Sequence, residues 1–199
     1  MELSKHPREF YQARIEQVLE SSLPIQHPSY LSEAMRYSVL GGGKRIRAIL
    51  VYATGEALKI NMKSLDSVAA AIDMLHAYSL VHDDLPCMDD DDLRRGKPTT
   101  HIAFDEATAV LAGDALQTAS FELLSAPTDG ICAENQLKIL NNLANASGVN
   151  GMVKGQAIDL AAVGQTISEA ELEEMHLNKT GALIKASVIM ASYCNDVTD

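Results

Sequence analysis

The chain has no tryptophan, and aromatic residues fill only 5% of its 199 positions. It holds three cysteines, Cys87, Cys132 and Cys194, far apart and without a Cys-x-x-Cys spacing. That odd, dispersed set argues against a disulfide framework and against a zinc site. No stretch approaches the ~18 consecutive apolar residues of a membrane span, so no integral membrane segment is expected. The first ten residues carry no apolar core and do not read as a signal peptide; the expected location is cytoplasmic. Repeats and low-complexity linkers are absent. Basic residues are the minority, 16 against 27 acids, for a formal net charge of −11. Such a surface repels nucleic acid, which is therefore not expected as a partner. What is present is ordinary for a globular protein: 47% apolar and 22% charged residues. This is enough for one domain spanning residues 1–199.

Helical spacing dominates. Ile15, Val18 and Leu19 share one stripe, with Pro24 and Pro28 bounding the loop after it. Leu31, Ala34, Met35 and Ser38 share a second. Gly41-Gly42-Gly43 interrupts before Ile46–Ala57 resumes, and Asn61–Ser64 reads as a turn. From Leu65 to about His82 the pattern is so apolar that burial on most sides is expected. Pro86, Gly96 and Pro98 keep residues 85–101 irregular. Further helices are expected from about Phe104 to Leu124, around Ile139–Leu143, and over Val153–Ala162. One more runs from the Ser168-Glu-Ala-Glu171 capping box to about Ser192. No strand alternation is evident, and the chain is expected to be all-α, with mostly antiparallel helices.

The chemistry concentrates in His82-Asp-Asp-Leu-Pro-Cys-Met-Asp-Asp-Asp-Asp-Leu-Arg-Arg-Gly96. Six of the 27 acids lie between Asp83 and Asp92, and without them the formal charge would be −5. Acids this crowded repel one another unless cations screen them. An oxygen-only donor set selects hard divalent ions, Mg²⁺ first. Arg94 and Arg95 follow at once and suit bidentate contact with phosphate oxygens. An acid run alone is more often a solvated loop, but this one ends the most buried-looking helix.

A second cluster is Gly41-Gly-Gly-Lys-Arg-Ile-Arg47. Its glycines could let backbone amides approach an anion. Continued as a helix, the segment would put Lys44 and Arg47 on one face. It is not a P-loop, since the Gly-x-x-x-x-Gly-Lys-Ser/Thr order is missing. His76 precedes Asp83 by seven residues on the same helix. Lys179-Thr180-Gly181 interrupts an apolar helix, and Gln156 and Asp159 are polar residues in another apolar stretch.

Together these segments resemble the trans-isoprenyl diphosphate synthases, and within them the bacterial farnesyl subclass. The motifs are Gly-Gly-Lys-Arg-Ile-Arg (42–47), His76-Ala-Tyr-Ser-Leu-Val-His-Asp-Asp-Leu-Pro, Met88-Asp-Asp-Asp-Asp-Leu-Arg-Arg-Gly, Gly113-Asp-Ala-Leu, Gly155-Gln-x-x-Asp159 and Lys179-Thr-Gly. They occur in that order between about Tyr30 and Met190. The resemblance implies an isoprenoid-synthase bundle of helices around a central cavity, acting as a homodimer. It implies a prenyltransferase that joins isopentenyl diphosphate to dimethylallyl and then geranyl diphosphate, giving farnesyl diphosphate. Carried over by position, Asp83 and Asp89 hold Mg²⁺, with Asp84 and Asp90 supporting. Arg94 grips the allylic diphosphate; Lys44, Arg47, His76 and Arg95 grip isopentenyl diphosphate. Lys179, Thr180 and Gln156 lie near the departing group. Tyr78 and Ser79, five and four positions before the first aspartate, set product length.

The family's second aspartate-rich motif is not found after Asp92, and the sequence stops at Asp199, so the bundle is expected to be incomplete at its C-terminal end. A 199-residue polypeptide alone is accordingly expected to condense its substrates weakly or not at all. Three other readings accompany the leading one. They are a geranylgeranyl diphosphate synthase, a terpene cyclase, and a non-catalytic partner or fragment of a longer synthase. The cyclase is disfavoured by Lys44, Arg47 and Arg95, because a cyclase has no second diphosphate to hold.

Overall fold

The computed structural model describes residues 7–27 and 29–195. Pro28 and the terminal segments, on which parts of the sequence reading fall, lie outside the described residues. Within those described, the order is α1 (Pro7–Ser22), α2 (Ser29–Leu40), α3 (Ile46–Ala57) and α4 (Met62–Asp83). A small hairpin of β1 (Leu93–Arg94) and β2 (Lys97–Pro98) follows, then α5 (Thr100–Ala103), α6 (Glu106–Ser125), α7 (Ala133–Ser147) and α8 (Met152–Ala162). Last come α9 (Glu169–His176), a π turn (Leu177–Gly181) and α10 (Ala182–Ser192). Among the described residues, no helix is long and apolar enough to cross a membrane.

The elements fall into two compact units, each considered by itself. One comprises the described residues up to Ile49 with Ala70–Leu123; the other comprises Leu50–Ala69 with the described residues from Leu124. α4 contributes to both. Leu65, Val68, Ala69, Ala70, Ala71, Ile72 and Leu75 are all fully buried, and such consecutive positions span every face of a helix. This is the burial expected from its apolar pattern.

In the first unit α1 packs on α2. Ile15 and Leu19 of the predicted stripe are fully buried. α6 begins later than its periodicity suggests. Asp105 caps it, accepting from the Thr108 amide (2.8 Å) and hydroxyl (2.9 Å) and from the Tyr30 hydroxyl (2.8 Å). The residues before that cap form the separate helix α5. In the second unit, the turn expected over Asn61–Ser64 shrinks to its first residue. Asn61 Oδ1 accepts from the Lys63 amide at 3.0 Å, an N-cap contact, and α4 starts at Met62.

In the second unit α10 packs on α7, and α8 lies against the π turn. The capping box opens α9 as expected, Ser168 Oγ accepting from the Glu171 amide and Glu171 from the Ser168 amide. The helix after it is not one regular piece: five residues, Leu177–Gly181, take the wider π winding. A π turn bulges one residue out of register and is common where a side chain must be re-aimed.

Candidate functional site

Two neighbouring features of the first unit carry the charged motifs: the acidic loop that ends α4, and a cationic cavity beside α3 and α4.

The acidic loop folds back on the end of its own helix. The Asp89 amide donates to the Asp83 carbonyl at 2.9 Å, the Asp90 amide to Leu85 at 3.2 Å, and the Asp91 amide to Asp84 at 3.2 Å. Asp90 takes a left-handed backbone (φ 54°), which aspartate tolerates better than most residues. Five residues of separation are thereby closed, and the main chains of Asp83 and Asp89 lie side by side. Thr99 pins the far side, its hydroxyl donating to the Asp91 carbonyl at 2.7 Å and its amide to the Asp92 carbonyl at 3.0 Å. The apolar underside is a cluster of Val81, Leu85 and Ala109 with Met88 packed on it.

Asp84 has a different place from its neighbours. It is buried, 3% exposed, and the Arg94 guanidinium clasps it. Arg94 Nε donates to Oδ1 at 2.7 Å and to Oδ2 at 2.9 Å, and Nη2 donates to Oδ1 as well. That hydrogen bonding raises the Arg94 pKa above its ordinary value. Arg94 also lies 3.7 Å from Asp91. Its position comes from the hairpin, which sequence periodicity did not reveal. Leu93 pairs with Pro98 and Arg94 with Lys97. The two linking residues, Arg95 (φ 54°) and Gly96 (φ 77°), both have positive φ, as a tight I′ hairpin turn requires. Two-residue strands are too short to show alternation.

The same turn throws Arg95 across to the glycine segment. Arg95 Nη1 donates to the Gly42 carbonyl. At Gly43 an added Cβ would sit 2.5 Å from that Nη1. The glycines therefore admit an arginine side chain, where the sequence suggested room for an anion at the backbone. Lys44 and Arg47 likewise do not share a helix face. Arg45 between them is left-handed (φ 50°), and α3 begins only at Ile46. They nevertheless meet at one cavity of about 400 Å³, walled by Lys44, Arg45, Arg47 and Arg95 together with His76 and Asp73.

Arg45 is held rigidly. Its guanidinium donates to both carboxylate oxygens of Glu16 (2.7 and 3.0 Å) and to the Val39 carbonyl (2.7 Å). Burial lowers the Arg47 pKa, opposed by Asp73, and the buried Nε of Arg47 makes no hydrogen bond. His76 is pushed down to about 3, by burial first and then by Arg47, Arg95, Arg94 and Arg45. It is neutral at any ordinary pH. The cations that keep the imidazole neutral also repel one another, and Glu16 and Asp73 offset only part of that charge.

Tyr78, 7% exposed, packs edge-to-face on the His82 ring with centroids 5.6 Å apart and hydrogen-bonds Gln117 of α6. His82 in turn hydrogen-bonds the Val110 carbonyl at 3.0 Å. It fits because of Gly113, where a Cβ would lie 2.2 Å from the imidazole Nε2. The Ser79 hydroxyl is turned back on the His76 carbonyl at 2.8 Å.

In the second unit Lys179 sits in the π turn with Nζ 2.6 Å from Asp159 Oδ2. Gly155 makes that seat possible, since a Cβ there would come within 2.0 Å of the Lys179 backbone nitrogen. Thr180 is exposed and Gln156 is half-buried on α8.

Sequence reasoning missed Asp73 and Arg45. The signal for Asp73 was available: it is an acid inside the most apolar helix, where an uncompensated charge is costly. Among the described residues, no three His, Cys, Asp or Glu side chains converge as a ready-made ion cage. The donors nonetheless suit Mg²⁺, which takes one or two carboxylates and leaves its other positions to water and phosphate. The exposed Asp89 and Asp90 beside the half-buried Asp83 provide such an all-oxygen set.

Fold and site place the chain among all-helical proteins of one family: the polyprenyl synthetase model matches residues 28–199, and the chain belongs to that family. It is 52% identical over 186 residues to the farnesyl diphosphate synthase of Haemophilus influenzae, covering 92% of this chain and 63% of that protein. It is also 52% identical over 167 residues to that of Escherichia coli, covering 83% and 56%. The chain thus spans about three fifths of the length of these curated relatives. Among solved structures it resembles a geranyltransferase from Legionella pneumophila, with a TM-score of 0.93 at 43% identity, over 98% of this chain and 70% of that one.

Proposed function

We propose that the chain carries the two diphosphate-binding features of a prenyltransferase that joins isopentenyl diphosphate to dimethylallyl and geranyl diphosphates, giving farnesyl diphosphate. The observation that supports this most is the cationic cavity. Four cationic side chains and a neutral histidine wall about 400 Å³ beside an acidic loop, which supports reading one diphosphate at the cavity and another at the loop. A terpene cyclase, with one diphosphate substrate, has no use for the second.

In this reading Lys44, Arg47, His76 and Arg95 hold isopentenyl diphosphate. His76, being neutral, donates or accepts a hydrogen bond without adding charge. Asp83 and Asp89, with Asp90 at hand, hold Mg²⁺ against the allylic diphosphate, and Asp84 serves by fixing Arg94 towards it. Bound Mg²⁺ stabilises the negative charge that develops on the departing diphosphate. The chain's own cations do the same from fixed positions, which needs no reorganisation as the bond breaks. The apolar Val81–Leu85–Ala109 cluster keeps water from the allylic end, where it would capture a cation. In the second unit Lys179, held by Asp159, with Thr180 and Gln156, forms a polar set suited to a departing diphosphate. Tyr78, anchored by Gln117 and His82, is the floor that limits chain growth, with Ser79 beside it. The reading carries with it a homodimer in the cytoplasm.

The test is calorimetric. Lys44→Ala with Arg47→Ala should weaken isopentenyl diphosphate by at least about tenfold and leave Mg²⁺-dependent geranyl diphosphate binding intact. Asp83→Asn with Asp89→Asn should do the reverse. If both pairs weaken both ligands equally, the chain does not hold two separate sites.

A further inference from the structure

One group in the cationic cavity has the wrong sign for a diphosphate site. Asp73 forms part of its wall, yet it is only 4% exposed. Its carboxylate accepts from the amide of Ala48, in the first turn of α3. That amide needs an outside acceptor, because Arg45, the residue before the helix, has no side-chain oxygen to cap with. The second oxygen, Oδ2, accepts no hydrogen bond, and the nearest cation, Arg45 Nη1, is 3.6 Å away. Arg45 cannot close that distance cheaply, since Glu16 and Val39 already hold it. Asp73 is therefore a buried carboxyl with one oxygen committed to structure and one left over, at the wall of a cavity built for anions.

We propose that Asp73 takes up a proton on Oδ2 when a diphosphate fills the cavity, so that anion binding at this site is proton-coupled. The inference rests on reading the cavity as a diphosphate site and names a device within it that the reading does not require. The charged and titratable groups around Asp73 are Arg45 and Arg47 from the α3 side, Glu16 from α1, His76 one turn along α4, and Lys44 and Arg95 across the cavity. Before an anion arrives, burial pushes Asp73 up to about 6, and Arg45, Arg47 and the Ala48 amide only partly oppose this. His76 is held neutral and takes no proton in this range. An incoming diphosphate competes with Asp73 for the same cations and repels its charge. Both effects favour the neutral carboxyl. The proton comes from solvent and binds an oxygen whose lone pair is unused; no bond to the diphosphate forms or breaks.

The test uses the 199-residue chain, metal-free, with inorganic pyrophosphate. Calorimetric titrations at pH 6.5, in two buffers of different ionisation enthalpy, count the protons exchanged. Wild type should take up about half a proton more per pyrophosphate than Asp73→Asn, whose side chain can still accept from Ala48. Subtracting the variant removes the pyrophosphate's own titration. Relative to Asp73→Asn, wild-type affinity should rise about fivefold or more from pH 8.5 to pH 5.5. Equal proton counts in the two proteins would overturn the inference while leaving the diphosphate reading in place. Absence of pyrophosphate binding to wild type would overturn both. Should Asp73→Asn not fold, the infrared spectrum of wild type labelled at aspartate decides. The protonated-carboxyl band must grow on adding pyrophosphate at pH 6.5, and an unchanged band refutes the proposal.

Discussion

Arg94→Ala strands a buried charge, and the structure sets the size of the effect. Asp84 is 3% exposed and receives three hydrogen bonds from Arg94. Removing one partner of a buried ion pair destabilises by about 3–5 kcal/mol, because the other charge is left uncompensated. The Arg94 side chain is itself 31% exposed, so water enters the vacated space and the loss should fall near about 2–3 kcal/mol. The assay is urea unfolding followed by circular dichroism at pH 7.5. If the loss is that of a stranded charge, Asp84→Asn in the Arg94→Ala background should recover it to within about 1 kcal/mol of wild type. A packing loss would be no better in the double variant. Arg94→Ala within about 0.5 kcal/mol of wild type would refute the claim that Asp84 depends on this guanidinium. The same pair has a functional consequence. With Asp84→Asn, Arg94 loses its tether, and Mg²⁺-dependent geranyl diphosphate binding should weaken even though Arg94 is intact.

Three further outcomes are expected. His76 is lowered to about 3 in the folded chain, below its unfolded value near 6.5, so only the unfolded chain binds this proton between those values. Stability should therefore fall as pH drops below about 6.5, by about 2 kcal/mol at pH 4.5; urea titrations in which His76→Asn shows the same slope would exclude His76 as the source. Gly155→Ala forces a Cβ to 2.0 Å from the Lys179 backbone nitrogen, which cannot swing aside as a side chain could. It should cost about 2 kcal/mol or more and lower the melting temperature by about 4–8 °C, and an unchanged melting curve would contradict the close approach. In a catalytically competent form, Tyr78→Ala should lengthen the product beyond fifteen carbons; chromatography showing farnesyl length unchanged would remove Tyr78 as the floor.

The helices were legible where the apolar spacing was regular or a capping box marked the start. Ile46–Ala57 and the Ser168–Glu171 capping box stand where the pattern put them. Reading failed where tertiary contacts overrule local pattern. The π turn at Leu177–Gly181 shifts the register by a single residue, too little for the apolar spacing on either side to reveal. Its only marks were Lys179 and Gly181 in an apolar helix, both costly there. The hairpin has strands too short for alternation, and its signal was the Arg95-Gly96 turn. Asp105 capping α6 was hidden because the apolar spacing continues upstream of it.

The sequence by itself determined the class of this protein. An all-helical pattern, the acid run and the ordered motifs are chemical content, and chemistry is written one residue at a time. Which charges face which was decided only by the fold. A left-handed Arg45 takes Lys44 and Arg47 out of helical phase and still brings both to one cavity. A two-residue turn sends Arg94 to Asp84 and Arg95 to the glycines. Asp73 acquires its place from a helix amide 25 positions away in sequence. Such pairings depend on distance and burial, which set the strength of a charge interaction and which spacing along a chain does not contain.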